Sequence, residues 1–188
     1  MTSRQTPRQT QRPLPRIWLM TDPRFGTDLL PAIQRLPARS GVIFWHYDLA
    51  AKERRALFVP VRRVCMRRGH MLLLAGDERA ARRWHAAGFH FGQDRRRSKV
   101  IIHSTPAHNR RELAKARGAC ADLVLISPMF ATASHPGARP LGRSTFMALA
   151  KQRGNLKAIA LGGMNAHKAK TLDKHVVHGW AAIDAFRH

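Results

Sequence analysis

The sequence predicts a single (β/α)8 barrel, also called a TIM barrel, and two observations point to this fold class. Eight short apolar segments follow one another along the chain, and most of them are continuous apolar runs rather than alternating ones. Continuous runs are typical of parallel strands that are buried on both faces. Helical or polar stretches separate the segments, and eight strands with intervening helices favour a closed barrel over an open sheet.

The chain has the length and composition of one domain with its own core. It has 188 residues, of which 44% are hydrophobic. The predicted strands are Ile17–Met20, Val42–Trp45, Met71–Leu74, Phe89–Phe91, Val100–Ile102, Leu123–Ile126, Ala158–Leu161 and Trp180–Ile183. No apolar run approaches the ~18 residues that a membrane helix needs. We therefore expect a cytoplasmic barrel over residues 17–188 that makes no membrane contact.

Three of the predicted helices begin at a residue that can cap them. Asn109 is followed three positions later by Glu112, which is the spacing of a capping box. Asp77 and Asn165 each stand directly before a helical stretch, where a side-chain oxygen can accept a hydrogen bond from a free backbone N–H group.

In two places the predicted barrel has too few residues for a full helix. Residues 93–99, between strands four and five, are too few for a full helix, and the chain ends at His188, just after strand eight. We therefore expect a truncated last helix. The barrel flank left uncovered could be buried by a second copy of the chain in a homodimer.

Residues 1–16 are predicted to form a disordered basic tail, because their prolines prevent a helix and they contain arginines but no acidic residue. The whole chain has 34 Lys and Arg residues against 11 Asp and Glu residues, a formal net charge of +23. Such a field attracts polyanions, including phosphorylated small molecules. Nucleic acid is a candidate partner by charge alone, since no basic motif interleaved with aromatic residues accompanies the charge.

In a (β/α)8 barrel the functional site lies at the C-terminal ends of the strands. The loop after strand six offers the hydroxyls of Thr132 and Ser134, with His135 as a candidate cation. After strand seven, Gly162 and Gly163 leave room for an oxyanion to approach the backbone. These segments predict a phosphate site at the barrel mouth. The alternative is an ordinary long loop beside a tight turn.

Six segments, in this order and spacing, resemble the thiamine phosphate synthase family and its thiazole tautomerase relatives. They are Ile17–Asp22, Phe89–Gln93, Ala107–Leu113, Ala121–Thr132, Pro140–Gly142 and Ala160–Met164. The resemblance implies a (β/α)8 barrel that joins an aminopyrimidine diphosphate to thiazole phosphate in thiamine biosynthesis, with loss of pyrophosphate. It also implies a Mg²⁺ cofactor that helps pyrophosphate to leave.

The chain departs from the family pattern in the half that binds the pyrimidine diphosphate. The arginine and lysine positions of strand two hold Trp45 and Tyr47, whose rings could stack on a substrate ring instead. The first metal-binding acid is kept as Asp77, but the second is replaced by Arg95. Asp94, one position earlier, is then the candidate second metal ligand, and Arg95 becomes a candidate substitute cation.

The half that binds thiazole phosphate is better preserved. Thr132 and Ser134 keep the hydroxyls of the family loop, and His135 stands in place of its lysine as a substitute cation. Pro128 occupies the position of the tautomerase histidine, and Asp184 introduces an acid that would repel a phosphate. Three functions stay open: a synthase-like enzyme, an inactive paralogue that binds a thiazole-phosphate-like ligand, and a polyanion-binding basic protein. No catalytic residue is assigned.

Overall fold

The computed structural model describes residues 13–91, 101–134 and 137–187. The strands are β1 Ile17–Met20, β2 Gly41–Phe44, β3 Met71–Ala75, β4 Gly88–His90, β5 Ile102–Ala107, β6 Leu123–Ile126, β7 Lys157–Ala160 and β8 Gly179–Ala182. Each strand pairs in parallel with the next, and β8 pairs with β1, so that the sheet closes into a barrel. The predicted fold class is confirmed.

Helices connect the strands on the outside of the barrel. They are α1 Leu29–Arg35, α2 Ala51–Arg68, α3 Glu78–Arg83, α4 Arg110–Gly118, α5 Gly142–Lys151 and α6 Ala166–Ala169. Within the described residues, β8 is followed by a short 3-10 helix, Asp184–Phe186, and by no longer helix, as the prediction of a truncated last helix expects. Among the described residues, no helix is long and apolar enough to span a membrane.

The predicted helix caps form as expected. The Asn109 side chain accepts a hydrogen bond from the Glu112 N–H at 2.9 Å, and Glu112 reaches back to accept one from the His108 N–H at 2.7 Å. The side chains of Asp77 and Asn165 likewise accept hydrogen bonds at the starts of α3 and α6. These three helices follow β3, β5 and β7, so each cap fixes the chain where it leaves the barrel mouth.

Seven predicted strands lie within one residue of the observed strands, but the prediction for strand five is wrong. β5 runs over Ile102–Ala107, whereas the sequence predicts Val100–Ile102. The observed strand contains buried polar residues with neighbours on both sides: Ser104 bonds to His90 on β4, and the backbone N–H of His103 donates to Asp122, which directly precedes β6. Cross-strand partners make the polar segment a stable strand, and its own pattern does not reveal them.

The core has an inner part inside the barrel and outer parts between the strands and the helices. The inner part includes Trp18, Ile43, Leu73, Leu125 and Ile159. A Cβ atom at Gly41 would lie 2.0 Å from the Trp18 ring. The indole therefore fills the space that a side chain on β2 would need.

The N-terminal end of the barrel is closed by residues from the predicted tail. The Pro15 carbonyl accepts a hydrogen bond from the Trp18 indole at 2.8 Å, and the Arg16 carbonyl accepts one from the Trp180 N–H at 2.8 Å. The packed part of the chain therefore begins before residue 17. Residues 1–12 lie outside the described part, so the disordered tail stays a prediction there.

His90 is a buried base inside the barrel, and its nitrogen Nδ1 lies 2.8 Å from the Ser104 hydroxyl. Burial, with a smaller effect from the neighbouring His103, lowers the pKa of His90 from 6.5 to about 3. The unfolded chain therefore binds a proton below pH 6.5 that the folded chain excludes, and stability falls as the pH falls.

We expect this histidine to contribute about 2 kcal/mol of the stability lost between pH 6.5 and pH 5, at 1.36 kcal/mol per pH unit. Urea unfolding at both pH values measures this loss. His90→Gln should lose about 2 kcal/mol less than the wild type, because glutamine does not titrate. His167→Gln, at an exposed histidine of α6, should keep the wild-type slope. Identical slopes in all three proteins would contradict the prediction.

Candidate active site

A cavity of about 200 Å³ opens at the mouth of the barrel beside the ends of β6, β7, β8 and β1. All four residues of the predicted phosphate site line it: Thr132, Ser134, Gly162 and Gly163. Its apolar walls come from Met20, Leu161, Met164, Ala182 and Ile183. We call this cavity the mouth pocket. The loop after β6 and the turn after β7 thus face each other, as the sequence predicts.

Gly162 and Gly163 allow the two backbones of the mouth pocket to touch. The Met129 N–H donates to the Leu161 carbonyl at 2.8 Å, and the Phe130 N–H donates to the Gly162 carbonyl at 3.1 Å. A Cβ atom at Gly163 would lie 2.3 Å from the Ala131 carbonyl oxygen, and both glycines have positive φ angles. The pair is therefore required for packing of the loop after β6, which fills the space beside both glycines, and the predicted access of an oxyanion to this backbone stays a prediction.

The hydroxyls of Thr132 and Ser134 form the polar corner of the mouth pocket. Their oxygen atoms are 2.9 Å apart, and the Ser134 N–H points at the Thr132 hydroxyl from 3.4 Å. Two hydroxyls and an N–H group in one corner can rearrange to donate to an anion. His135, the predicted cation of this loop, lies outside the described residues.

Lys168 brings a positive charge to the back of the mouth pocket. Its ammonium donates to the Gly163 carbonyl at 2.7 Å and lies 4.7 Å from the centre of the Phe130 ring. No role is predicted for Lys168 from the sequence. Its position in the short helix after Gly162 and Gly163 could have indicated that it lies near the predicted phosphate site.

His108 also lines the mouth pocket. Its nitrogen Nδ1 lies 2.8 Å from the Ser127 carbonyl oxygen. A carbonyl can only accept a hydrogen bond, so Nδ1 carries the hydrogen. In the neutral ring, the lone pair is therefore on Nε2.

Asp184 lines the mouth pocket as an acid, but arginines neutralise it. Its carboxylate accepts hydrogen bonds from Arg24 at 2.9 Å and from Arg187 at 3.4 Å. Arg24 also bonds to Asp22 at 2.8 Å. Burial by itself would raise the pKa of Asp22, but the hydrogen bonds and charge of Arg24 outweigh it and leave that pKa lowered. These pairs reduce the repulsion that Asp184 would exert on a phosphate.

Aromatic side chains gather on the opposite side of the mouth, at the ends of β2 and β4. The Trp45 ring centre lies 5.1 Å from that of Tyr47 and 5.3 Å from that of Phe91. Tyr47 is 47% exposed and Phe91 is 42% exposed. We call Trp45, Tyr47 and Phe91 the aromatic patch. Trp45 and Tyr47 are the predicted ring-stacking residues. Phe91, predicted only as the end of a strand, is the third member.

The described residues do not fit a Mg²⁺ site. Asp77, the predicted first ligand, caps α3 by accepting a hydrogen bond from the Ala80 N–H at 2.6 Å. No group of three or more His, Cys, Asp or Glu side chains is placed to hold a metal ion within the described ranges. Asp94 and Arg95 lie outside those ranges, so their predicted roles and the bound Mg²⁺ remain predictions.

We expect Gly163→Ala to destabilise the fold by about 1 to 3 kcal/mol more than Gly142→Ala. Both glycines have positive φ angles, but a Cβ at Gly142 meets no atom within 4 Å, whereas one at Gly163 meets the Ala131 carbonyl. Urea unfolding measures the difference. Equal losses would show that the loop yields to the added methyl group. Substitution at Gly163 is for this reason a poor test of phosphate binding alone.

The sequence of this chain is similar to those of thiamine-phosphate synthases. A protein of Aquifex aeolicus (strain VF5) named "Putative thiamine-phosphate synthase 2" is 28% identical over 184 residues, which is 92% of this chain and 98% of that protein. A thiamine-phosphate synthase of Lysinibacillus sphaericus (strain C3-41) is 33% identical over 125 residues, 62% of this chain and 59% of that one.

The solved structure of thiamine phosphate pyrophosphorylase from Pyrococcus furiosus shares the fold. It superposes with a TM-score of 0.72 at 17% identity and covers 90% of this chain and 86% of that one. Residues 21–186, nearly the whole barrel, match the family described as thiamine monophosphate synthase. On this match, the chain belongs to the thiamine monophosphate synthase family, a family of thiamine biosynthesis.

Proposed function

We propose that this chain acts in thiamine biosynthesis as a thiamine-phosphate-synthase-like enzyme. It would hold thiazole phosphate in the mouth pocket and join it to an aminopyrimidine diphosphate, with release of pyrophosphate. One observation carries the proposal: the hydroxyls of Thr132 and Ser134 and the turn at Gly162 and Gly163 line a single pocket at the C-terminal ends of the strands.

The mouth pocket suits a ligand that has an apolar ring at one end and a phosphate at the other. The phosphate would lie in the polar corner, where Thr132 and Ser134 supply hydroxyls. The Lys168 ammonium is held behind the turn by the Gly163 carbonyl and adds positive charge there. The thiazole ring would lie against apolar walls such as Met20, Leu161 and Ile183.

The coupling reaction forms one bond and breaks another. The lone pair of the thiazole ring nitrogen forms a C–N bond to the methylene carbon of the pyrimidine, and the bond from that carbon to the diphosphate oxygen breaks. Pyrophosphate leaves with the electron pair, and the thiazole ring becomes positively charged. The work of this chain is to orient the two rings and to exclude water, because water would otherwise capture an electron-poor carbon.

The aromatic patch supports binding of the pyrimidine on the other side of the mouth. Its Trp45 and Tyr47 replace the polar residues that the family uses there, and their rings lie edge to face. Aromatic faces attract both planar rings and positive charge. A pyrimidine that develops positive charge as pyrophosphate leaves would therefore be stabilised at this patch.

Binding of thiazole phosphate tests the pocket. We expect Thr132→Val to weaken it about tenfold, roughly 1.4 kcal/mol, in calorimetric titration, because valine keeps the shape but removes the hydroxyl. Thr145→Val, at an exposed threonine of α5, should bind as the wild type does. Loss of affinity in both variants, or in neither, would argue against the hydroxyl contact.

Formation of thiamine phosphate tests the reaction. The wild-type chain, incubated with both substrates and Mg²⁺, should produce thiamine phosphate and pyrophosphate, measured by mass spectrometry. The gene should also restore growth of a thiamine-requiring strain that lacks the synthase. Tight binding of thiazole phosphate without any product would instead identify the chain as a binding protein, and binding of neither substrate would overturn the proposal.

A further inference from the structure

Arg54, in the first turn of α2, reaches back to the rim of the barrel. Its Nη2 donates hydrogen bonds to the Trp45 carbonyl at 2.8 Å and to the Ala75 carbonyl at 2.7 Å. Ala75 is the last residue of β3, and Trp45 directly follows β2. The two bonds therefore fix the guanidinium at the C-terminal ends of these strands, where a (β/α)8 barrel binds its ligands.

Aromatic rings surround the same guanidinium. Its carbon Cζ lies 4.7 Å from the centre of the Tyr47 ring, 5.6 Å from that of Trp84 and 5.7 Å from that of Phe44. Tyr47 belongs to the aromatic patch, so Arg54 places a positive charge directly beside the patch. Both carbonyl bonds and the stacked rings restrict the long side chain to one position.

The charge of Arg54 has no ionic partner among the described residues. The ion pairs in that part of the chain involve other arginines, such as Arg24 with Asp22, and Asp48 attracts Arg54 electrostatically without forming an ion pair with it. The Nε of Arg54 is buried without a hydrogen bond, and no hydrogen bond joins its Nη1 to another residue of the described ranges. Burial lowers the pKa of Arg54, as expected for a partly desolvated cation.

A rigid, unpaired guanidinium at the mouth of a barrel is complementary to an anion. Nη1 carries two N–H groups that no residue of the described ranges accepts, and a guanidinium can direct such groups at phosphate oxygens. The side chain of Lys168 is held at the mouth pocket by the carbonyl of Gly163, which lines it, whereas Arg54 is held by the ends of β2 and β3 and contacts no lining residue through a hydrogen bond. An anion held by Arg54 is therefore a second one, beside the aromatic patch.

We propose that Arg54 binds the diphosphate of the pyrimidine substrate while the aromatic patch receives its ring. This inference rests on the proposed function and deepens it. In place of the strand-two cations that Trp45 and Tyr47 displaced, the chain uses an arginine from the following helix. The two substrates then lie side by side across the mouth, each with its anion on a different cation.

Arg55 provides a matched control from the next position of the same helix. Its guanidinium also lies over aromatic rings, 5.0 Å from Trp84 and 5.7 Å from Phe58. It makes no hydrogen bond to the strand-end carbonyls that hold Arg54. Loss of Arg55 therefore removes a cation and a ring contact but leaves the guanidinium of Arg54 on the strand-end carbonyls.

The experiment titrates two probes, inorganic pyrophosphate and thiazole phosphate, into the wild type and three variants. Arg54→Gln should weaken pyrophosphate binding at least tenfold and change thiazole phosphate binding less than twofold. Arg54→Lys keeps a charge but loses the forked geometry, so we expect a loss of about threefold to fivefold for pyrophosphate. Arg55→Gln should bind both probes within twofold of the wild type.

Several outcomes would overturn the inference. Unchanged pyrophosphate affinity in Arg54→Gln would show that the arginine only holds the strand ends together. The same conclusion would follow if Arg54→Gln lost equal affinity for both probes. It would also follow if Arg55→Gln lost as much pyrophosphate affinity as Arg54→Gln. If Arg54→Gln does not fold, Arg54→Lys decides, since unchanged pyrophosphate binding there rejects the role.

The two proposals can fail separately. A wild type that binds thiazole phosphate but no pyrophosphate rejects the role of Arg54 and leaves the mouth pocket intact. A wild type that binds pyrophosphate through Arg54 but no thiazole phosphate rejects the mouth pocket as the thiazole site.

Discussion

The close approach of two backbones, the loop after β6 and the turn after β7, is the constraint on which the rest of the site depends. Two hydrogen bonds join them, from Met129 to Leu161 and from Phe130 to Gly162, and neither glycine of the turn has room for a side chain. This contact fixes the direction in which the loop continues. It thereby places the hydroxyls of Thr132 and Ser134 on the wall of the same pocket as the turn.

The net positive charge of the chain does not by itself select a ligand, and the positions of individual cations at the barrel mouth matter more. A formal charge of +23 attracts any polyanion, but at the mouth individual cations have defined partners. Arg24 and Arg187 neutralise Asp184, and Lys168 is fixed by the Gly163 carbonyl. Arg54 is fixed by two carbonyls and by aromatic rings, and it forms no ion pair within the described residues.

At the ends of β2 and β4, the mouth of this barrel departs from the polar pattern of the family. Trp45 and Tyr47 occupy positions where the family has cations, yet the mouth keeps both an aromatic surface and a guanidinium. A barrel permits such exchange because every strand end and every following helix faces the same opening. A residue from α2 can therefore stand where a residue from β2 is missing.

The sequence by itself determined the barrel and the starts of three of its helices, because those depend on local patterns. Continuous apolar runs located seven strands, and Asp77, Asn109 and Asn165 marked helix starts through hydrogen bonds that span only three residues. Only the tertiary structure decided β5, the partners of Asp184 and the position of Arg54. The polar strand is stable through His90 on a neighbouring strand, and Arg24 meets Asp184 from 160 positions away. Closure of the barrel creates these contacts, and no local pattern encodes which side chains it brings together.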